Sequence, residues 1–536
     1  MKSTDTVQSY EPQSPHLVAA LICVIAALTL LWPVLTGQIL LGGARSDMFI
    51  AGYSFRLFGA ETLKATGSIP QWNPYLFGGL PYIAAMHGDI FYPTAWLRWV
   101  MPVDLAITWG MATHFVLAGW LTYRFARSLG LRWGAAIAAG LAYELTGIVA
   151  SQMSPGHDGK LFVSALTPLA FWVLLRAIRG GRKWAYGAFA FVVALSVLGH
   201  YHMSYFLLIA LAMWAVYLAF WDDERSPASN GWLSLGLAAL AVGVGVGIAS
   251  LQVLPFLEYI KYSPRAEGGP DTGWGFATSY AMPPSEVFTA ILPQFNGVLD
   301  NYWGRSAIKF HTEYIGFLPL ALASLAFGDR ERRRLVLALM VGALLFLLFS
   351  FGGYTPFYRP FFETLPHLKQ IRAMGMVFFL VAFPVALLAG VGMDRVLTRR
   401  VPGRTVLYIV GVFAAFALVG VMGGLQGLAR GLAIPERSLA VDANADALRL
   451  GAARLLAFVL FGGVALWAIA TGRLGARTSV LVVALLITAD LWSIDKQFYE
   501  FSPRASKVFA PDEVTRFLQA TKPPFRVLDA GNSYGY

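Results

Sequence analysis

The chain has 536 residues, 57% of them hydrophobic and only 13% charged, where a soluble globular chain carries about 25% charged residues. This composition excludes a soluble enzyme, a disordered protein and a coiled coil, and points to a polytopic membrane protein. The formal charge of +11 falls between apolar segments rather than on a polar domain, so nucleic acid is not the implied partner, and a single cysteine, Cys23, excludes both an internal disulfide framework and thiolate zinc sites.

Residues 1–15 form a polar tail, expected to be cytoplasmic. Apolar runs of about 18 residues or more can cross a bilayer. They predict an all-α architecture of thirteen spans, at 16–40, 104–126, 133–152, 160–178, 184–199, 203–221, 232–256, 313–328, 335–351, 373–397, 405–425, 451–471 and 479–496. The first run is too long for a signal peptide and lacks a small-residue cleavage pattern, so it reads as a retained span. The transmembrane unit is 16–496, and 497–536 reads as the start of an extracytoplasmic segment that is cut short. In that segment Pro511-Asp512-Glu513 opens a helix, and 524–529 alternates like a strand before the turn Gly531-Asn532-Ser533.

One set of connectors is short and basic, with Arg124, Arg127 and Arg132, then Arg176, Arg179, Arg182 and Lys183, then Arg330 and Arg332 to Arg334, then Arg399, Arg400 and Arg404, then Arg473 and Arg477. Short basic loops stay in the cytoplasm. The N-terminus is therefore expected inside, with 41–103, 257–312, 352–372, 426–450 and 497–536 outside.

The first outside loop, 41–103, is long enough to be functional or ordered by its own elements. Apolar spacing predicts interfacial helices at 48–66 and 91–101. Asp47 stands at the outer start of this loop, where a carboxylate could serve as a general base or hold a metal; an ordinary loop acid beside Arg45 is the plainer alternative. His87 and Asp89 could share a divalent ion or simply bond to each other. The short connector 153–160 carries His157, Asp158 and Lys160, a set suited to a phosphate or a metal–phosphate, or to a solvated turn. His200 and His202 lie at the next junction on this face, as general base, metal ligand or interfacial anchor. Glu144 falls within a predicted span, with His114 as its candidate partner, which marks either a function or a structural pair. Among the basic groups of the outer loops, Arg372 is the strongest candidate to hold a lipid-linked phosphate, while the rest read as solvated faces. No Walker, Rossmann or HExxH motif is present in the sequence.

Ser46-Asp47, Trp72-Asn73-Pro74, Phe77-Gly78-Gly79, Gly88-Asp89, Tyr92-Pro93, Gly156-His157-Asp158-Gly159-Lys160, Pro168-Leu169 and Gln252-Val253-Leu254-Pro255 occur in that order along the predicted topology. In this the chain resembles the YfhO family of bacterial membrane proteins, within the GT-C glycosyltransferases. The resemblance covers nearly all of 16–500. It implies a multi-pass protein of the bacterial cytoplasmic membrane that takes sugar from a polyprenyl-phosphate donor in the bilayer to an extracytoplasmic glycan, lipid or protein acceptor, with inversion. It implies Asp47 as base or metal-positioning carboxylate, Asp89 or Asp158 as an assisting acid, and a divalent cation, Mg or Mn, in many members. The lone first-loop acid departs from a paired acidic motif and leaves the base and metal roles unseparated. A flippase or transporter of a lipid-linked saccharide, working through Glu144 and His114, is the competing reading. A non-catalytic scaffold is the third.

Overall fold

The computed structural model describes residues 10–76, 78–225, 230–306, 309–522 and 525–527. Among these, ten helices are long and apolar enough to cross a membrane, from Pro15–Leu35 to Ala476–Phe498. The chain is thus an all-helical, multi-pass membrane protein. Two shorter apolar helices, Lys183–Gly199 and Phe317–Ala326, stand where spans were expected.

The span expected at 133–152 is not one helix. Trp133–Glu144 ends, and a single turn, Gly147–Ala150, follows. The cause lies 168 residues from Thr146 in sequence: the Thr146 hydroxyl and the Gly147 N–H both donate to the Tyr314 carbonyl, at 3.0 and 2.7 Å. An incoming loop strand thus replaces the helical bonds that these residues would otherwise make. A Cβ on Gly147 would lie 2.5 Å from the Thr312 Cγ2, so the close approach requires glycine.

Of the ten spans Met374–Leu397 is the most buried and Gly403–Val421 the least, while every residue of Trp133–Glu144 is buried. Phe379–Leu397 packs on Phe317–Ala326, Trp133–Glu144 and Arg333–Ser350. Small residues permit this approach, as expected where lipid supplies no hydrophobic drive between helices. The peripheral helices Gly231–Tyr259 and Gly403–Val421 expose Leu240, Leu251, Leu407 and Val412, the pattern of a lipid-facing surface.

Two ends of the bundle differ in character. At one end the short connectors are laced together: Asp394 bridges Arg132 and Arg332 at 3.2 and 3.1 Å, and Arg179 holds Asp222 and Glu224 at 2.6 and 2.7 Å. The long loops gather at the other end. There the first loop forms a π-turn, Met48–Gly52, running into the helix Tyr53–Thr66, then a two-residue antiparallel pair and the helix Thr94–Val100. Both expected loop helices are present.

The tail crosses back over this end. Ile39 pairs with Ser502, the Glu500 N–H donates to Ser154 Oγ at 2.8 Å, and Arg504 grips Asp104 through two bonds of 2.7 and 3.0 Å. Phe509 stacks on Phe49 and Tyr53. The helix expected after Pro511 is Glu513–Ala520, capped by Asp512, whose Oδ1 accepts from the Thr515 N–H at 2.7 Å. The expected strand at 524–529 lies largely outside the described residues.

Candidate functional site

Loop 153–157 crosses the start of the first loop, and the crossing builds the site. The Asp47 N–H donates to the Pro155 carbonyl at 3.0 Å. Gly156 has φ of +77°, and a Cβ there would sit 2.5 Å from the Met48 nitrogen. Only glycine meets both demands. The backbone contact sets Asp47 against His157, whose Nε2 is 3.2 Å from Asp47 Oδ2. The other ring nitrogen, Nδ1, lies 3.3 Å from Lys160 Nζ. With the ammonium donating to Nδ1, the single proton of the neutral ring sits on Nε2 and points at Asp47.

The ring's neutrality is favoured. Burial first, and the Lys160 charge second, pull His157 down to about 4. Asp47 is 72% exposed at its side chain, and the His157 hydrogen bond, against some burial, holds its carboxyl below the usual range. The result is an ionised, solvent-facing carboxylate on a fixed imidazole.

Asp89 and Asp158 serve differently. Arg56, buried in the first loop helix, donates Nε to Asp89 at 2.8 Å and Nη2 to Asp158 at 2.5 Å. Arg98 and Thr94 also donate to Asp89. Burial opposes the charge on Asp89, but Arg98 and Arg56 override it and hold the carboxyl well below its ordinary range. This network pins the loop helix to the N-terminal turn of Asp158–Ile178. Both acids are committed to guanidinium groups. His87 packs edge-on against Phe55 and lies within electrostatic reach of Asp47.

His200 caps the helix Tyr201–Phe220, with Nδ1 accepting from the Met203 N–H at 3.3 Å. Burial, then Lys160, lowers it to about 3. The buried His202 ring packs on Tyr201. Arg372 lies over the Phe276 and Tyr280 rings, and Arg265 also lies over Phe276 while donating to the Tyr201 hydroxyl at 3.3 Å. Lys160 feels both Asp47 and Arg372. Among the described residues, no carboxylate is within ion-pair distance of Lys160, Arg265 or Arg372. Three cations without counter-ions therefore line one end of the bundle beside an ionised carboxylate. Such a bank suits a phosphate.

Glu144 and His114 do not pair. His114 bonds Tyr92 Oη at 2.7 Å and the Gly110 carbonyl at 2.8 Å. Both Glu144 oxygens are buried without a satisfactory hydrogen bond, beside the Cys23 thiol. Glu144 is at the end of its helix rather than in the middle of a span.

No group of three His, Cys, Asp or Glu side chains among the described residues converges as a metal site. Of the four residues expected to share an ion, Asp47 and His157 meet, while Asp89 and Asp158 face arginines. The sequence reading left out Arg265, Glu286 and His311. Arg265 follows Ser263-Pro264 in a turn-rich stretch. Lys309, His311 and Glu313 recur at every second position, a spacing that places side chains on one side of an extended segment.

No protein-family model matches the sequence, and no curated protein does. Solved structures similar to this chain include ArnT from Cupriavidus metallidurans bound to undecaprenyl phosphate, at 13% identity over 90% of this chain and 77% of that one, with a TM-score of 0.45. The apo state of the same protein gives 14% identity, 90% and 76% coverage and a TM-score of 0.43. The arabinofuranosyltransferase AftD from Mycobacteria gives 16% identity over 72% of this chain and 25% of that chain, with a TM-score of 0.45.

Proposed function

We propose that this chain is a GT-C-type membrane glycosyltransferase, related to the YfhO family. In this reading it moves a sugar from a polyprenyl-phosphate-linked donor to a glycan, lipid or protein acceptor, with inversion, at the extracytoplasmic face of a bacterial cytoplasmic membrane. The observation that carries the reading is the ionised, exposed Asp47, fixed by His157, with Lys160 on the far side of that ring and within electrostatic reach of Arg372. A donor of this class presents a phosphate and an anomeric carbon a few ångströms apart, and the site offers a carboxylate and an ammonium on either side of one imidazole.

The chemistry follows from charge. As the anomeric C–O bond breaks, negative charge grows on the departing lipid phosphate, and preorganised cations stabilise it. Asp47 receives the acceptor hydroxyl and orients or deprotonates it for attack on the opposite face of the anomeric carbon. Asp89, Asp158 and Arg56 keep the carboxylate in place, and His200 holds the helix end behind Lys160. A divalent cation arriving with the donor would find the Asp47 carboxylate as its protein ligand, since both nitrogens of His157 are engaged by Asp47 and Lys160. The flippase reading has only Glu144 in its favour, because His114 is engaged elsewhere.

The test is sugar transfer from a radiolabelled polyprenyl-phosphate donor pool in proteoliposomes, comparing wild type with Asp47→Asn, with and without EDTA. Transfer by wild type and a loss of about 10² to 10⁴-fold in Asp47→Asn are expected, the scale of a removed acid–base group. Donor moved across the bilayer with no product in either protein overturns the reading in favour of transport. The EDTA arm reads whether a divalent cation enters with the donor.

A further inference from the structure

The segment between the long loop and the helix Phe317–Ala326 carries a second ordered imidazole. Glu313 is fully buried and held from three sides: Lys309 Nζ lies 2.5 Å from its Oε1, the Thr289 hydroxyl donates to its Oε2 at 3.4 Å, and His311 Nε2 lies 3.3 Å from Oε1. Lys309 is also bonded to Glu286, at 2.7 Å. His311 is therefore fixed through one nitrogen by a buried carboxylate. Its side chain is 29% exposed, and its Nδ1 has no hydrogen-bond partner among the described residues.

The segment is anchored beside the site. The Thr312 N–H donates to Ser151 Oγ at 3.2 Å. Phe310 lines a cavity of about 110 Å³ together with Arg45, Ser154 and Pro155, two residues from Asp47 on one wall and one residue from His311 on the other. The His311 charge presses on the His157 ring, and the Lys160 charge on His311. The two imidazoles differ in what they can do. His157 has both nitrogens engaged, by Asp47 and Lys160. His311 keeps a free lone pair. An oriented imidazole with one nitrogen on a carboxylate and the other open is the arrangement of a general base.

We propose that His311 is the general base of the transfer reaction, with Glu313 as its positioning residue and Asp47 orienting the acceptor hydroxyl. The proposal rests on the transferase reading above. The acceptor O–H bond breaks and its proton passes to His311 Nδ1. The oxygen bonds to the anomeric carbon, whose bond to the phosphate oxygen breaks, and that electron pair leaves with the lipid phosphate. The imidazolium then returns its proton to water. Its charge is offset by Glu313, which burial opposes but Lys309 and His311 hold ionised, down to about 2. The titratable and charged groups that face His311 are Glu313 and Lys309 on its own segment, Lys160 on the first turn of Asp158–Ile178 and the neutral His157 on the crossing loop. Burial and Lys309 favour its neutral form, the form a base needs.

The experiment uses the full chain in proteoliposomes, with radiolabelled polyprenyl-phosphate sugars as donor and an envelope-lipid extract as acceptor. His311→Ala is expected to lower kcat by about 10²-fold or more without weakening donor binding, and added imidazole to restore about tenfold. The acid limb of the wild-type rate profile should drop in His311→Ala to the lower edge that the Asp47 carboxyl sets. In Glu313→Gln it should move to lower pH, because the carboxylate that raises the His311 pKa is gone. The Glu313→Gln profile is read whether or not His311→Ala assembles. No transfer by wild type overturns the transferase reading and this assignment with it. Transfer by wild type that survives His311→Ala, that imidazole fails to restore, or whose acid limb is unchanged in both variants overturns the His311 assignment alone.

Discussion

The hydrogen bond from His157 is the largest influence on the Asp47 carboxyl, so replacing that ring changes the charge of the acid before it changes any packing. The folded pKa of Asp47 is depressed, and the carboxylate therefore stays ionised to lower pH than a free side chain. In His157→Ala the carboxyl should move up toward the ordinary range near 4. The acid edge that Asp47 sets, below the limb assigned to His311, should then move to higher pH, with little change in melting temperature because Asp47 faces solvent. A pH–rate profile in proteoliposomes checks this, and an unmoved edge would show that Asp47 does not set it. The residues at this scale differ in how far sequence discloses them. Asp47, His157 and Lys160 stand out because a polar, chemically dense turn between two apolar runs has little structural reason to be so rich. Asp89 and Asp158 stand out equally, yet their partners settle what they do. Arg56 lies 33 and 102 positions from them, and no local pattern announces a guanidinium arriving from that distance.

Elements hold the site through that same guanidinium. Arg56 projects from the helix Tyr53–Thr66 and reaches both Asp89, near the second loop helix, and Asp158, on the first turn of Asp158–Ile178. A carboxylate at a helix N-terminus is also favoured by the helix dipole. Breaking a buried ion pair by removing one partner costs about 3–5 kcal/mol, because the other charge is left buried and uncompensated. Asp89→Asn should therefore lower the melting temperature in detergent clearly, whereas Asp47→Asn should not. Asp89 has a depressed folded pKa, so its contribution is complete above the unfolded value of about 3.9 and is lost as pH falls through the folded one. The difference between wild type and Asp89→Asn should thus be flat from pH 5 to 8. Tryptophan fluorescence melts across that range measure it, and a difference that grew with pH would place the stabilisation elsewhere. Periodicity disclosed these loop helices well, since Phe49, Tyr53, Leu57 and Ala60 keep helical spacing. It failed at 133–152, where an apolar run interrupted by Glu144 hides the point at which Tyr314 takes the bonds of Thr146 and Gly147. Hydropathy measures what lipid tolerates, and it is blind to a backbone carbonyl arriving from another loop.

For the whole molecule the decisive property is sidedness, because a donor held by lipid is reached from one face only. The short connectors carry most of the clustered arginines and are tied together by Asp394, Asp329 and Asp222. The long loops gather Asp47, His157, Arg265 and Arg372 at the other end. The positive-inside rule counts Lys and Arg in short loops near span ends, and here it assigns the laced end to the cytoplasm. In the proposed orientation the site faces the extracytoplasmic side, beyond the reach of nucleotide-activated sugars, which is the argument for the proposed lipid-linked donor. The chain is well suited to a direct test, since its one cysteine, Cys23, is buried in the first helix. On a Cys23→Ser background, Glu267→Cys marks the long-loop end and Arg404→Cys the short-connector end, both at exposed positions. A membrane-impermeant maleimide should label residue 267 in intact spheroplasts and residue 404 only in inverted vesicles or after permeabilisation. Labelling of 404 from outside would turn the molecule over, place Asp47 in the cytoplasm and remove the argument for a lipid-linked donor, whatever the geometry of the site.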